Sequence, residues 1–140
     1  MNTRHKLWLS AAMYVGVFGY WIAMFVATHV TPTVAKAGMV TNDKIIHGTT
    51  YFLLALGCAL LWRLGRRLSW VQYAILLAGL MFYGAVDELT QPWVGRRAEW
   101  NDWLADCGGV ASGLAIFFLL SQRGQQNDEQ KPPYRRGVIN

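Results

Sequence analysis

Four apolar stretches dominate the chain, at residues 7–27, 45–62, 70–86 and 103–120, and the short segments between them carry charge and proline. A spanning helix takes about 17 to 25 apolar residues, so the pattern predicts four transmembrane helices. Three of these are short and suit a thin or locally deformed bilayer. Trp8, Trp21, Trp62, Trp70, Trp93, Trp100 and Trp103 fall mostly near the ends of the stretches, where indole rings favour the headgroup region.

Composition sharpens this reading. Of 140 residues, 54% are hydrophobic and only 15% charged, outside the balance of a soluble domain. A buried soluble bundle would need polar surface positions that the stretches lack. The expected fold is therefore all-α: a polytopic membrane protein with four helices in a compact bundle over residues 1–122. Residues 123–140 change to Gly, Gln, Asn, Lys and paired Pro, a composition that cannot bury enough apolar area to order itself, so they read as a disordered tail.

Arg4 and Lys6 at the amino end, Arg63, Arg66 and Arg67 in the second connection, and Arg123, Lys131, Arg135 and Arg136 in the tail outnumber Lys36, Lys44, Arg96 and Arg97 in the first and third connections. Positive residues are retained in the cytoplasm, so both termini are expected there. The net charge of +5 then follows from topology and attraction to anionic lipid, and nucleic-acid binding is not implied. The first stretch is too long for a signal-peptide core, and the Ala35-Lys36-Ala37 match lies well past its end, so it is expected to stay uncleaved.

Thr31-Pro32-Thr33 and Gly38 mark the first connection, residues 28–44, as a loop. Residues 63–69 are short enough to make the second and third spans a tight hairpin. Gln91-Pro92 should end the third helix. Cys58 and Cys107 lie at different depths, too far apart for a disulfide, and read as free, buried thiols. No His and Cys spacing supports a zinc or haem site.

Six of the eight carboxylates, Asp43, Asp87, Glu88, Glu99, Asp102 and Asp106, gather where the first and third connections would meet one membrane face. Steps of three and four residues put Lys44, His47 and Tyr51 on one stripe, Tyr83, Asp87 and Gln91 on another, and Asp102, Asp106, Gly109 and Gly113 on a third. The last pair has the small-xxx-small spacing that lets helix backbones approach in lipid. Asp102 also fits as a cap of the fourth helix. A carboxylate within a bilayer costs a few kcal/mol, about 2.5 to 3.5, unless paired or solvated, and Lys44, His47, Arg96 and Arg97 are the candidate partners.

These elements resemble the VanZ-like membrane proteins of bacteria: Asp43-Lys44-Ile45-Ile46-His47 with Tyr51, then Tyr83-Gly84-Ala85-Val86-Asp87-Glu88-Leu89-Thr90-Gln91, then Gly95-Arg96, and Asp102 to Asp106 followed by Gly109 and Gly113. The similarity covers residues 43–113, and its ordered combination is more specific than any one piece. Asp106 stands where the family often carries Asn, which changes the local charge and hydrogen bonding. The resemblance selects Asp43, Asp87, Glu88, Asp102 and Asp106 over Glu99. It implies a cell-envelope role in the bacterial inner membrane. The family's founding member is tied to low-level resistance to the glycopeptide teicoplanin, but most relatives are not resistance determinants.

Three readings of the polar set follow. In the first, an outward-facing pocket binds a membrane lipid or lipid-linked envelope precursor, with Asp43, Lys44, Tyr51, Gln91, Arg96 and Asp106 as binding residues; Arg supplies bidentate donors to phosphate. The second is a membrane-embedded hydrolase or group transferase in which His47 is the general base and Asp87, Glu88 and Asp102 hold a divalent cation such as magnesium. The third is an ion-pair network that locks the helix ends together, with His47 as a hydrogen-bonded packing residue.

Overall fold

The computed structural model describes residues 3–29, 43–64 and 68–129, with backbone alone for 124–129. Its elements are α1 (Thr3–Thr28), α2 (Asp43–Arg63), α3 (Trp70–Thr90), a 3₁₀ turn (Gln91–Val94) and α4 (Trp100–Glu129). All four α-helices are long and apolar enough to cross a membrane, and no strand occurs among the described residues.

The outer surface of the bundle is apolar. Phe82, Leu89 and Trp93 are 72%, 66% and 83% exposed, which lipid tolerates and water does not. The interior is thin by comparison, centred on Tyr51, Leu54, Ala55, Val110, Leu114 and Phe117. Thr50 and Ser112 return their hydroxyls to carbonyls of their own helices, at 2.9 and 2.8 Å, so neither presents an unpaired donor to lipid.

The most extensive packing joins α2 to α4. Glycine makes it so close: a Cβ on Gly109 would overlap the Gly48 carbonyl, and one on Gly113 would lie 2.7 Å from the Phe52 carbonyl oxygen. Backbone therefore rests on backbone, as the small-residue spacing predicts. The short second connection does join α2 to α3, yet α3 packs more extensively on α4, pinned by the Trp103 indole N–H donating to Met81 O at 3.0 Å. Helix α1 is peripheral and buries only Met24 and Thr28. Its links to α2 are the Tyr20 hydroxyl on Thr50 O at 3.0 Å and Val17, 3.0 Å from where a Cβ on Gly57 would stand.

Helix ends follow local chemistry. Ser69 caps α3 in a reciprocal capping box with Gln72, which satisfies two free donors. At the other end α3 stops at Thr90, before Pro92, and the chain turns through Gly95 in the left-handed region (φ 79°), a conformation glycine adopts at no steric cost. Gly95 N–H and Arg96 N–H close the turn on Pro92 O and Gln91 O, at 3.1 and 3.2 Å.

Two expectations change. The composition break after Gln122 predicts a tail without structure from residue 123, but α4 continues to Glu129. Helix propagation needs only one local bond per added residue and no apolar face. Residues 130–140 lie outside the described residues, as do 30–42 of the first connection. Cys58 and Cys107 are free, as expected, but half-buried rather than buried.

The glycine seam predicts unequal tolerance. Gly109→Leu should lower stability by about 1 to 3 kcal/mol or more through overpacking, whereas Gly79→Ala, which meets nothing within 4 Å, should be neutral or gain up to about 1 kcal/mol of helix propensity. Unfolding in mixed detergent, followed by circular dichroism, reads both.

Candidate functional site

The stripes read from the sequence meet at one end of the bundle, where α1 and α3 finish and α2 and α4 begin. At their centre lies a buried triad. His47 Nδ1 sits 3.0 Å from Asp106 Oδ1 and 3.8 Å from Glu88 Oε1, and all three residues are at most 5% exposed. With its proton on Nδ1, the imidazole donates to Asp106. Glu88 is held from two further directions: Gln91 Nε2–H donates to Oε1 at 2.8 Å, and the Glu99 backbone N–H donates to Oε2 at 3.0 Å. The proline-limited turn after α3 explains the second bond, because it folds residue 99 back over the helix end.

A second nest surrounds Asp87, which is fully buried. The Thr28 hydroxyl donates to Asp87 Oδ1 at 3.1 Å, and His29 Nδ1 lies 3.7 Å from the same oxygen. His29 Nε2 is 2.9 Å from Thr90 Oγ1, and Nδ1 is 2.9 Å from Phe25 O. Both ring nitrogens face oxygen. Stacking on the Phe25 ring at 4.1 Å fixes the plane.

The rim is made of ion pairs. Lys44 Nζ donates to Asp102 Oδ1 at 2.9 Å and lies 3.7 Å from Glu99 Oε2. Arg96 reaches Asp43 at 3.8 Å, a long contact in a half-exposed setting that is worth little. Asp102 stands in the first turn of α4, but its side chain is taken by Lys44. Arg97 is exposed and makes no carboxylate pair among the described residues.

Between triad and nest, four buried oxygen atoms have no hydrogen-bond partner: Tyr51 Oη, Tyr83 Oη, Asp87 Oδ2 and Asp106 Oδ2. The two tyrosine rings lie 6.0 Å apart. Gly84 packs against this region, since a Cβ there would lie 3.4 Å from the Tyr51 ring and 3.5 Å from Asp106 Oδ2. Buried polar atoms in native proteins almost always have partners, so these four stand out as hydrogen-bonding capacity that the described side chains leave unused.

The sequence-derived candidates therefore converge, with two corrections. Asp87, Glu88 and Asp102 do not form a cation-binding set. Asp87 turns to α1, and the groups whose donor atoms lie within 4.8 Å of one another are Asp43, His47 and Asp102, and His47, Glu88 and Asp106. Glu99, which the resemblance leaves out, contributes both its backbone N–H and its side chain. Sequence reasoning assigns no site role to Thr28 and His29, which follow an apolar stretch and read as the start of a loop, and it quotes Thr90 only as part of the α3 motif. The chain matches no protein-family model, no curated protein and no solved structure.

The His47–Asp106 bond should be measurable by a double-mutant cycle. His47→Ala and Asp106→Ala should each cost about 1 to 3 kcal/mol by stranding a buried polar partner, with a coupling of roughly 0.6 to 1.7 kcal/mol, the range for interhelical bonds in a bilayer. Additive losses in detergent unfolding would mean that the bond contributes nothing.

Proposed function

We propose that the chain is a VanZ-like cell-envelope protein of the bacterial inner membrane, with both termini in the cytoplasm. Its polar end faces outward and binds the headgroup of a membrane lipid or lipid-linked envelope precursor. One observation carries this reading: a cavity of about 140 Å³ lined by Ala85, Leu89, Ala98, Trp100 and Trp103 has Glu88 and Glu99 as its acidic members. Leu89 and Trp100 are exposed on the lipid-facing side, while Glu88 also belongs to the buried triad. A site with an apolar wall and a polar floor suits an amphiphile, whose tail stays in lipid while its head reaches the protein.

The charges narrow the headgroup. Lys44 and Arg96 already face carboxylates, which leaves the exposed Arg97, next in the chain to the lining residue Ala98, as the cation for phosphate, a group arginine can hold bidentately. Glu88 and Glu99 accept hydrogen bonds, so they suit hydroxyl or amine groups. A headgroup bearing phosphate together with such donors fits both halves.

The His47–Asp106 pair also supports a catalytic reading, as a hydrolase or group transferase on a lipid-linked substrate. A carboxylate that orients an imidazole is the arrangement of a general base, and loss of turnover in His47→Gln with retained lipid binding would favour it.

Native mass spectrometry of protein extracted from membranes tests binding. A retained anionic lipid is expected, weakened about tenfold or more by Arg97→Ala, as removal of a charged hydrogen bond of about 1.5 to 3 kcal/mol implies. Ala85→Phe, which fills the cavity, should weaken it likewise. Equal retention in wild type and both variants refutes the reading. For orientation, alkaline phosphatase fused after residue 95 should be active and fused after residue 123 inactive; the reverse pattern inverts the topology.

A further inference from the structure

We propose that His47, Glu88 and Asp106 bind one divalent transition-metal ion, of the manganese, iron, cobalt or zinc kind, inside the polar end of the bundle.

The donors are already assembled. One nitrogen and two carboxylate oxygens, all buried, lie within 4.8 Å of one another, with His47 Nδ1 at 3.0 Å from Asp106 and 3.8 Å from Glu88. Ligands at roughly 2.0 to 2.2 Å from a metal sit about 3 Å apart at a right angle and about 3.3 to 3.6 Å apart in a tetrahedron. The two separations from His47 lie on either side of that range and the third is within 4.8 Å, so side-chain adjustment of about an ångström brings all three onto one ion.

Charge balance favours an ion over the triad alone. No Lys or Arg among the described residues lies within 4.0 Å of Glu88 or Asp106; Lys44 and Arg96 pair with Asp102, Glu99 and Asp43. With His47 neutral, as a metal ligand must be, the two carboxylates carry two negative charges and a divalent ion cancels them. Asp87 belongs to the other nest, where the Thr28 hydroxyl donates to it at 3.1 Å. Buried charge without such compensation is costly in a bilayer.

Two observations outside the triad's own contacts point to a ligand. Tyr51 is fully buried, yet its hydroxyl has no partner, and neither does Asp106 Oδ2. Both lie close to Gly84, where a Cβ would stand 3.4 Å from the Tyr51 ring and 3.5 Å from Asp106 Oδ2, and a fourth ligand or metal-bound water would give them the partner they lack. Gln91 Nε2–H donates to Glu88 Oε1 and the Glu99 backbone N–H to Oε2, which orients the carboxylate as the supporting shell of a metal ligand does.

The donor set selects the metal class. Magnesium and calcium take oxygen ligands alone, whereas imidazole suits the later first-row ions. The competing set of Asp43, His47 and Asp102 is poorer, because Asp43 is exposed and Lys44 already occupies Asp102 at 2.9 Å. This proposal shares Glu88 with the headgroup cavity, but its metal readout does not depend on lipid binding.

The test uses the full chain in detergent, free of affinity tag and stripped with chelator, titrated with Co²⁺ and followed by visible d–d absorption. One Co²⁺ per chain is expected, displaced by Zn²⁺. Asp106→Asn and Glu88→Gln should weaken binding at least tenfold, and Asp43→Asn and Asp102→Asn should leave it within about twofold. A chain with no cobalt band at millimolar metal overturns the proposal, as does binding that is lost with Asp102→Asn and kept with Asp106→Asn. Should the triad variants fail to fold, pulsed electron paramagnetic resonance of the wild-type Mn²⁺ complex decides: coupling to one imidazole nitrogen supports the site, and its absence refutes it.

Discussion

The backbone contact between α2 and α4 governs the polar end of this protein. Gly48, Gly109 and Gly113 let the two helices approach until carbonyl and Cα touch, and that approach sets every distance above it. His47 stands one residue before Gly48, and Asp106 lies three before Gly109. Their 3.0 Å contact and the Lys44–Asp102 pair at 2.9 Å both straddle this seam. In lipid there is no hydrophobic drive to press helices together, so packing and polar contacts must do it jointly. The glycines supply the closeness and the ion pairs supply the register.

Helix α3 completes the site from the other side. Its last turn carries Asp87 and Glu88 about 100° apart, and that angle sends them to different neighbours: Asp87 to Thr28 and His29 on α1, Glu88 to His47 on α2. One dipeptide thus ties three helices. The turn through Gly95 then returns Glu99 to the Glu88 carboxylate, so the loop is fastened to the cluster rather than draped over it.

Much of this was legible in the residues. Apolar run lengths located the four helices, steps of three and four gathered His47 with Tyr51 and Asp102 with Asp106, and the Gly109–Gly113 spacing foretold the tight crossing. Other parts had no sequence signal. A backbone N–H, such as that of Glu99, looks the same at every residue, and its use depends on how a turn closes. Thr28 and His29 read as the start of a loop because nothing local shows that an apolar helix will end against Asp87. Pairing of Lys44 with Asp102, rather than with an anionic ligand, is a choice among several carboxylates that only three-dimensional placement makes. The extension of α4 to Glu129 was hidden because polar composition describes the solvent around a helix, not its backbone bonds.

The sequence separation of the site's bonds has a consequence for how the protein is made. Thr28 meets Asp87 across 59 residues, His47 meets Asp106 across 59, and Lys44 meets Asp102 across 58. Each bond therefore joins a helix to one synthesised two spans later. A ribosome delivers residues at about 5 to 20 per second, so each early partner waits several seconds in the membrane for its counterpart. During that interval His47 and Lys44 carry their polarity alone, near a headgroup layer that can solvate them. Assembly of the polar end is thus a late event of biogenesis, and a chain halted before α4 would hold His47 and Lys44 without Asp106 and Asp102.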